Sequence, residues 1–218
     1  NHQQRADDLA FRKDAMGEAI QTIKAADTGI DAITNLIASA KSTAQSALST
    51  SDTAERSTLA VQFNTLMDQI DTLAEDSGYK GVNFLSADSL TVTFDADGDS
   101  TLAITGFEGN AGSLGMVDAA SNWATETNIN AAVTNLDAAK GTLRTEAESL
   151  SNSLSTITVR QDFTENMINT LEGGVANLTN ADMNEEGANM LMLQTRQALG
   201  TTALSLASQA AQGVLRLF

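Results

Sequence analysis

The sequence predicts a mainly α-helical protein, an elongated, coiled-coil-like antiparallel helical rod with a small central β-hairpin region. Three observations carry this prediction. The 218 residues include no proline, so long helices can run unbroken. Apolar residues recur at spacings of three and four through most of the chain, which is the coiled-coil pattern. Only residues 79–125 depart from that pattern, and they lie in the middle of the chain.

The first helix is predicted from residue 9 to about residue 47, because two apolar series with heptad spacing interleave there. Their members are Leu9, Met16, Ile23, Ile30, Ile37 and Ala44, and Ala19, Ala26, Ile33, Ala40 and Ala47. The polar stretch 49–51 ends the pattern. Asp52 with Glu55 then has the spacing of a capping box that opens a second helix. Its apolar positions are Leu59, Phe63, Leu66, Ile70 and Leu73.

A β-hairpin is predicted next. The segments "LTVTF" at 90–94 and "TLAIT" at 101–105 are β-branched and alternating, and they flank "DADGDS" at 95–100. The three aspartates of this connection resemble half of a calcium loop. However, its glycine comes too early in the loop for an EF-hand, and a distal bidentate glutamate is missing. A turn is therefore favoured over a calcium site.

Helical periodicity resumes near Glu126 and keeps one register to about residue 178. The apolar members of that register are Ile129, Val133, Leu136, Leu143, Ala147, Leu150, Leu154, Ile157, Ile168, Leu171, Val175 and Leu178, with Lys140, Gln161 and Thr164 as polar exceptions. Asp182 with Glu185 has the spacing of a second capping box, which predicts that a separate last helix begins there.

These elements divide the chain into two predicted domains. Residues 1–180 form a helical rod domain with a small β-hairpin excursion at about 79–125, and residues 181–218 form a C-terminal helix. Because the helices run up, down and back, both ends of the chain are expected at one end of the rod.

Charge and composition exclude several classes of function. The formal net charge is −16, from 28 acidic and 12 basic residues, whereas nucleic-acid binding needs a basic surface. There is no cysteine, and the one histidine is His2. No metalloprotease, serine-hydrolase, P-loop or dinucleotide motif occurs. The sequence therefore predicts no enzyme, no metal site and no cofactor.

The C-terminal segment differs from the acidic body. Residues 187–218 carry only Arg196 and Arg216 as charged residues. The segment has too many Gln, Ser and Thr residues for a transmembrane helix. It also has too few basic residues for an interfacial membrane helix. Helix-to-helix packing between subunits is favoured, through a stripe formed by Leu193, Leu204, Ala207, Ala211, Val214 and Phe218. This stripe is the predicted assembly surface.

The segment "ADMNEEGANMLMLQTRQALGTTALSLASQAAQGVLRLF" at 181–218 resembles the C-terminal signature of bacterial flagellins. "NTLMDQIDTLAEDSGYKGVNFL" at 64–85 resembles the family's helix-to-hairpin junction, and "LTNADMNEE" at 178–186 its entry to the terminal helix. The resemblance extends over essentially the whole chain and is weakest at 86–125.

This resemblance implies a secreted structural subunit that polymerises with other flagellin subunits into the flagellar filament for motility. The terminal helices of the family form the inner tubes of the filament, and a helical rod with a hairpin forms the next layer. It implies a flagellar export chaperone as a second partner, bound through the C-terminal helix. Aligned with the family, Asn1 falls inside the N-terminal region. The N-terminal inner-tube helix is therefore expected to be absent, and this chain alone is not expected to form normal filaments.

One segment departs from the family pattern. Many flagellins carry Arg, Glu and Leu where a vertebrate Toll-like receptor grips the rod, and the matching stretch here is "LIASAKSTAQSA" at 36–47. Ala38 stands in place of Arg, Lys41 in place of Glu and Ser42 in place of Leu, while Gln45 is kept. Because alanine cannot supply a bidentate anchor, weak receptor activation is expected.

Two alternatives stay open at this point. A hook–filament junction protein shares the terminal helices, although 181–218 is more like flagellin. A secreted acidic coiled-coil adhesin or effector would have no role in a polymer.

Overall fold

The computed structural model describes residues 2–215, with side chains to residue 212. Its elements are α1 (His2–Ser49), α2 (Thr53–Asp76), β1 (Ser89–Thr93), β2 (Thr101–Thr105), a short 3-10 turn (Ala120–Trp123) and α3 (Glu126–Leu215). The chain divides into two compact units. The core unit is Asp7–Met167, and the terminal unit combines Asn1–Ala6 with Ile168–Phe218. The predicted mainly helical fold with one β-hairpin is confirmed.

The heptad pattern of α1 forms one side of the hydrophobic core. All eleven predicted positions, from Leu9 to Ala47, are buried. Five of these eleven positions are alanine, which lets neighbouring helices approach closely, and the other six carry larger Leu, Met or Ile side chains. The local periodicity was sufficient here because a helix presents residues three and four apart on one face.

Of the predicted capping pair Asp52 and Glu55, only Asp52 caps the start of α2. The Asp52 carboxylate accepts a hydrogen bond from the Ala54 N–H at 2.8 Å, which satisfies a free donor of the first turn of α2. Glu55 does not complete a capping box. Its carboxylate accepts from the Thr50 hydroxyl at 2.7 Å, and the Asp52 N–H donates to that same hydroxyl oxygen at 3.2 Å.

Arg56 joins α1, α2 and α3 near the α1–α2 connection. It is the one buried charged residue in the described part of the chain. Its Nε donates to the carbonyl oxygens of Ala47 at 3.1 Å and Thr50 at 2.8 Å, and its Nη2 lies 3.3 Å from a carboxylate oxygen of Glu126. One guanidinium therefore contacts the end of α1, the α1–α2 connection and the start of α3.

The buried face of α2 lies one residue later than the predicted leucines. Its buried apolar members are Ala60, Phe63, Met67, Ile70 and Ala74. The predicted Leu59, Leu66 and Leu73 are half-buried at the edge of the same face. The prediction favoured the large leucines, but small Ala60 and Ala74 occupy the centre of the buried face and the leucines lie beside it.

Asn83 joins α2 to the hairpin. Its side-chain amide donates to the carbonyl oxygens of Ala74 at 2.8 Å and Glu75 at 3.0 Å, near the end of α2. Its side-chain oxygen accepts from the Leu85 N–H at 2.9 Å. The preceding tight turn pairs Tyr79 with Val82. The junction is thus held by hydrogen bonds that a residue without a side-chain amide cannot make.

The predicted hairpin is present. Strands β1 and β2 pair antiparallel, with Ser89 opposite Thr105 and Thr93 opposite Thr101. The Asp95 carboxylate accepts from the N–H groups of Gly98 at 2.9 Å and Ser100 at 3.1 Å, which closes the turn. Desolvation opposes ionisation of Asp95, but these backbone hydrogen bonds outweigh it, so the pKa of Asp95 lies below its ordinary value.

Trp123 anchors the approach to α3. Its side chain is fully buried, and its ring lies 4.8 Å from the ring of Phe63 in α2. Ser121, Asn122 and Trp123 all have left-handed backbone angles, with φ between 49° and 57°. Such angles are unfavourable for residues with a β-carbon, so burial of the indole has to hold this segment in place.

The expected fourth helix does not exist as a separate element. Instead of beginning at Asp182, the helix is part of α3, which is continuous from Glu126 to Leu215. A capping box starts a helix only where the preceding backbone is non-helical. No proline interrupts α3, and the adjacent Gly173 and Gly174 cost only about 1 kcal/mol each relative to alanine. Within the predicted register, Ile129, Leu136, Leu143, Leu150, Ile157 and Ile168 are buried, whereas Val133, Ala147 and Leu154 are half-buried and Leu178 is exposed.

Candidate functional site

The terminal unit contains a segment of α3 whose large apolar residues are exposed. Every one of these side chains has half or more of its area accessible. They are Leu178, Met183, Met190, Leu191, Met192, Leu193, Leu199, Leu204 and Leu206. The heptad positions of α1 are buried, whereas this part of α3 presents apolar surface that the described chain leaves uncovered.

The residues predicted from sequence as an assembly surface lie on this segment. Leu193 is 65% and Leu204 is 77% exposed. Ala207 and Ala211 are also exposed and continue on the same side of the helix. The side chain of Val214 and the whole of Phe218 lie outside the described residues. The four described members will be called stripe one.

A second apolar row was missed in the sequence. Met192, Leu199 and Leu206 follow one another at intervals of seven, with Ala203 between the two leucines and Ala210 after the second. At about 100° per residue, this row lies roughly a quarter-turn around the helix from stripe one. We call it stripe two. The heptad interval was the signal that could have revealed it.

The remaining side of the segment is polar but uncharged. Its residues include Gln194, Thr201, Ser205, Ser208, Gln209 and Gln212. Arg196 is the one charged residue between 187 and 212. Among the described residues, none of the helices combines the length and hydropathy required for a membrane span. Two apolar rows beside a neutral polar face are suited to packing against other helices.

The segment resembling a receptor-binding site lies on α1 in the core unit. Ala38, Ser42 and Gln45 are exposed and occupy one side of the helix. Lys41 is half-buried, and its Nζ lies 2.6 and 2.8 Å from the two carboxylate oxygens of Asp137 on α3. The lysine is therefore engaged within the subunit.

Comparison with known proteins identifies the family. The profile of the bacterial flagellin C-terminal helical region matches residues 127–218. Flagellin FljM of Caulobacter vibrioides is 31% identical over 208 residues, covering 94% of this chain and 76% of FljM. Flagellin FljO of the same organism is 30% identical over 220 residues, covering 100% of this chain and 80% of FljO.

A solved structure agrees at the level of the fold. The crystal structure of Bacillus cereus flagellin superposes with a TM-score of 0.58 at 20% identity, covering 67% of this chain and 86% of that one. The extended similarity to Caulobacter flagellins decides the family. The chain belongs to the bacterial flagellins and is a structural subunit of the flagellar filament.

Proposed function

We propose that this subunit assembles with other flagellin chains through residues 181–218, while residues 1–180 supply the body of the subunit. The observation that carries the proposal is the uncovered apolar surface of stripes one and two. A helix that is apolar on more than one side is normally buried. In a filament, two neighbouring helices could each cover one stripe.

The energetics favour the same conclusion. Fully burying a leucine contributes roughly 1.5–3 kcal/mol. Leu193, Leu199, Leu204 and Leu206 together could supply about 6–12 kcal/mol when neighbouring subunits cover them. An isolated helix gains little stability in water, because helices in proteins are stabilised mainly by packing of an apolar face. Packing against a partner therefore supplies the stabilisation that this helical segment lacks in the free subunit.

The same surface is also the proposed binding site for a flagellar export chaperone before secretion. A subunit with this much exposed leucine and methionine tends to associate non-specifically, and a protein that covers the stripes would prevent this. Secretion then delivers the subunit to the growing extracellular filament. The two partners compete for one surface, so chaperone binding and assembly are mutually exclusive.

Hydrogen exchange followed by mass spectrometry tests this proposal. Amides of residues 190–212 are expected to exchange fast in the free subunit, because an unpacked helix opens readily. They are expected to become protected in filaments or in a chaperone complex, whereas core-unit amides remain protected throughout. Slow exchange of 190–212 in the free monomer, equal to that of the core unit, would contradict the proposal.

The two alternatives considered from sequence are not favoured. Relatives that align over nearly the whole chain are flagellins, and the matching profile is that of the flagellin C-terminal region. Neither a hook–filament junction role nor a free adhesin role is needed to explain the stripes on α3.

A second proposal concerns α1: this flagellin activates the vertebrate Toll-like flagellin receptor weakly. Exposed Ala38 offers no hydrogen bond, and Ser42 offers little apolar area. Lys41 bonds to Asp137 and so presents a neutralised pair instead of a carboxylate. An interface anchor such as a bidentate arginine is absent from this side of the helix.

Restoring the family residues is expected to raise receptor activation by about tenfold or more, which is the scale of one interface anchor. Glutamate at 41 would face Asp137, so the variant should combine A38R, K41E and S42L with D137N. The measurement is dose-dependent signalling in a receptor reporter cell line. Replacing A38R by A38K is the matched control, because lysine adds charge without the planar fork. Potent activation by the unaltered chain would refute the proposal.

A further inference from the structure

One turn of α3 consists of four consecutive large apolar residues. Met190, Leu191, Met192 and Leu193 are 60%, 66%, 50% and 65% exposed. Successive residues of an α-helix point about 100° apart, so these four side chains face all sides of the helix. Met192 belongs to stripe two, and Met190 points about 60° from Leu193 of stripe one, so helices that cover the two stripes lie beside both methionines.

The methionines of this chain fall into two groups. Met16, Met67 and Met116 are at most 3% exposed within the core unit. Met183, Met190 and Met192 are 50% or more exposed on α3, and Met167 is intermediate at 37%. Susceptibility of a thioether to oxidation depends on its exposure. The free subunit therefore shields the sulfur atoms of Met16, Met67 and Met116 and presents those of the proposed assembly segment.

We propose that Met190 and Met192 form an oxidative modification site that controls assembly: peroxide converts them to sulfoxides in the free subunit, and this blocks polymerisation. The inference depends on the assembly role proposed above for α3. Conversely, packing between subunits should protect the same sulfur atoms once a filament has formed.

Hydrogen peroxide is the oxidant and supplies the oxygen atom of the sulfoxide. The thioether sulfur gives two electrons to hydrogen peroxide, the O–O bond breaks, one oxygen becomes bonded to sulfur and the other leaves as water. The product is a polar sulfoxide in place of a flexible apolar side chain. Within a dry helix contact its oxygen would lose water without gaining a hydrogen-bond donor, which is unfavourable.

The experiment begins with the folded chain and hydrogen peroxide. Peptide mass spectrometry should find Met183, Met190 and Met192 oxidised well before Met16, Met67 and Met116. Assembly is measured by sedimentation and electron microscopy, with Caulobacter vibrioides flagellins as co-assembly partners. Oxidation is expected to lower the incorporated fraction about tenfold. Treatment with methionine sulfoxide reductases of both stereospecificities should restore it.

Two variants make the assignment specific. M190L/M192L keeps an apolar side chain at both positions but removes both thioethers, so peroxide should not lower its assembly below the level of the same variant without peroxide. M167L/M183L is the matched control and should stay sensitive. Equal loss of assembly by oxidised M190L/M192L, or normal assembly of the oxidised original chain, would overturn this inference while leaving the assembly surface intact.

Reduction of the original chain provides a test that needs no variant. If the reductases remove the sulfoxides at 190 and 192 but assembly stays blocked, the inference is overturned. The proposed assembly role fails separately if aspartates placed within the stripes leave polymerisation of untreated protein unchanged.

Discussion

Replacing Leu193 and Leu204 together by aspartate is expected to abolish co-assembly and chaperone binding, while thermal unfolding of the core unit stays nearly unchanged. Both residues belong to stripe one and are 65% and 77% exposed. In the free chain the new carboxylates remain in water and cost little. In an assembly they would be buried without a partner, which costs several kcal/mol each unless they are protonated. Sedimentation measures assembly, and circular dichroism measures unfolding.

The matched control for L193D/L204D is Q194D/S205D. It adds the same two charges at the same spacing, but one residue further along the helix, where they fall on the polar side. This control should assemble far better than the stripe variant. Equal loss in both variants would point to net charge as the cause. A large fall in core melting temperature for L193D/L204D would mean that stripe one already stabilises the free subunit.

Trp123→Ala is expected to destabilise the core unit by about 3–5 kcal/mol, the range for removing a fully buried aromatic side chain. The substitution removes the tilted ring contact with Phe63 and leaves a cavity among buried residues. It also releases a segment that contains three left-handed residues. Chemical denaturation followed by circular dichroism measures the change in free energy of unfolding.

Trp123→Phe separates packing from hydrogen bonding. Within the described part of the chain, the indole N–H of Trp123 is buried and has no hydrogen-bond partner. Phenylalanine therefore loses ring volume but no hydrogen bond, and it removes an unsatisfied donor that itself opposes folding. We expect W123F to cost less than half as much as W123A. Equal costs would show that the N–H makes a stabilising contact in solution.

The sequence alone predicts the fold correctly where secondary structure depends on residues that are close together in the chain. All eleven heptad positions of α1 are buried, and both hairpin strands were correctly placed. It failed at Asp182, where a capping motif is present but the helix passes through it. A motif of that kind indicates where a helix can start, whereas continuity depends on the conformation of the residues before it.

Only part of the candidate site could be predicted from the sequence. Stripe one followed from spacing, but stripe two was overlooked although Met192, Leu199 and Leu206 repeat at seven. The ion pair between Lys41 and Asp137 could not be found from the sequence, because it joins residues 96 positions apart. Such a contact is fixed only when α1 and α3 pack with a defined register.

The burial of Trp123 has a spectroscopic consequence. The chain has one tryptophan and one tyrosine, and both belong to the core unit, since Tyr79 also falls within Asp7–Met167. Intrinsic fluorescence therefore reports on the core unit alone. A shift of tryptophan emission to longer wavelength marks solvent reaching the indole and hence loss of the core. Events confined to the C-terminal part of α3 leave that emission unchanged, so the chain carries its own optical probe for distinguishing an assembly defect from an unfolded subunit.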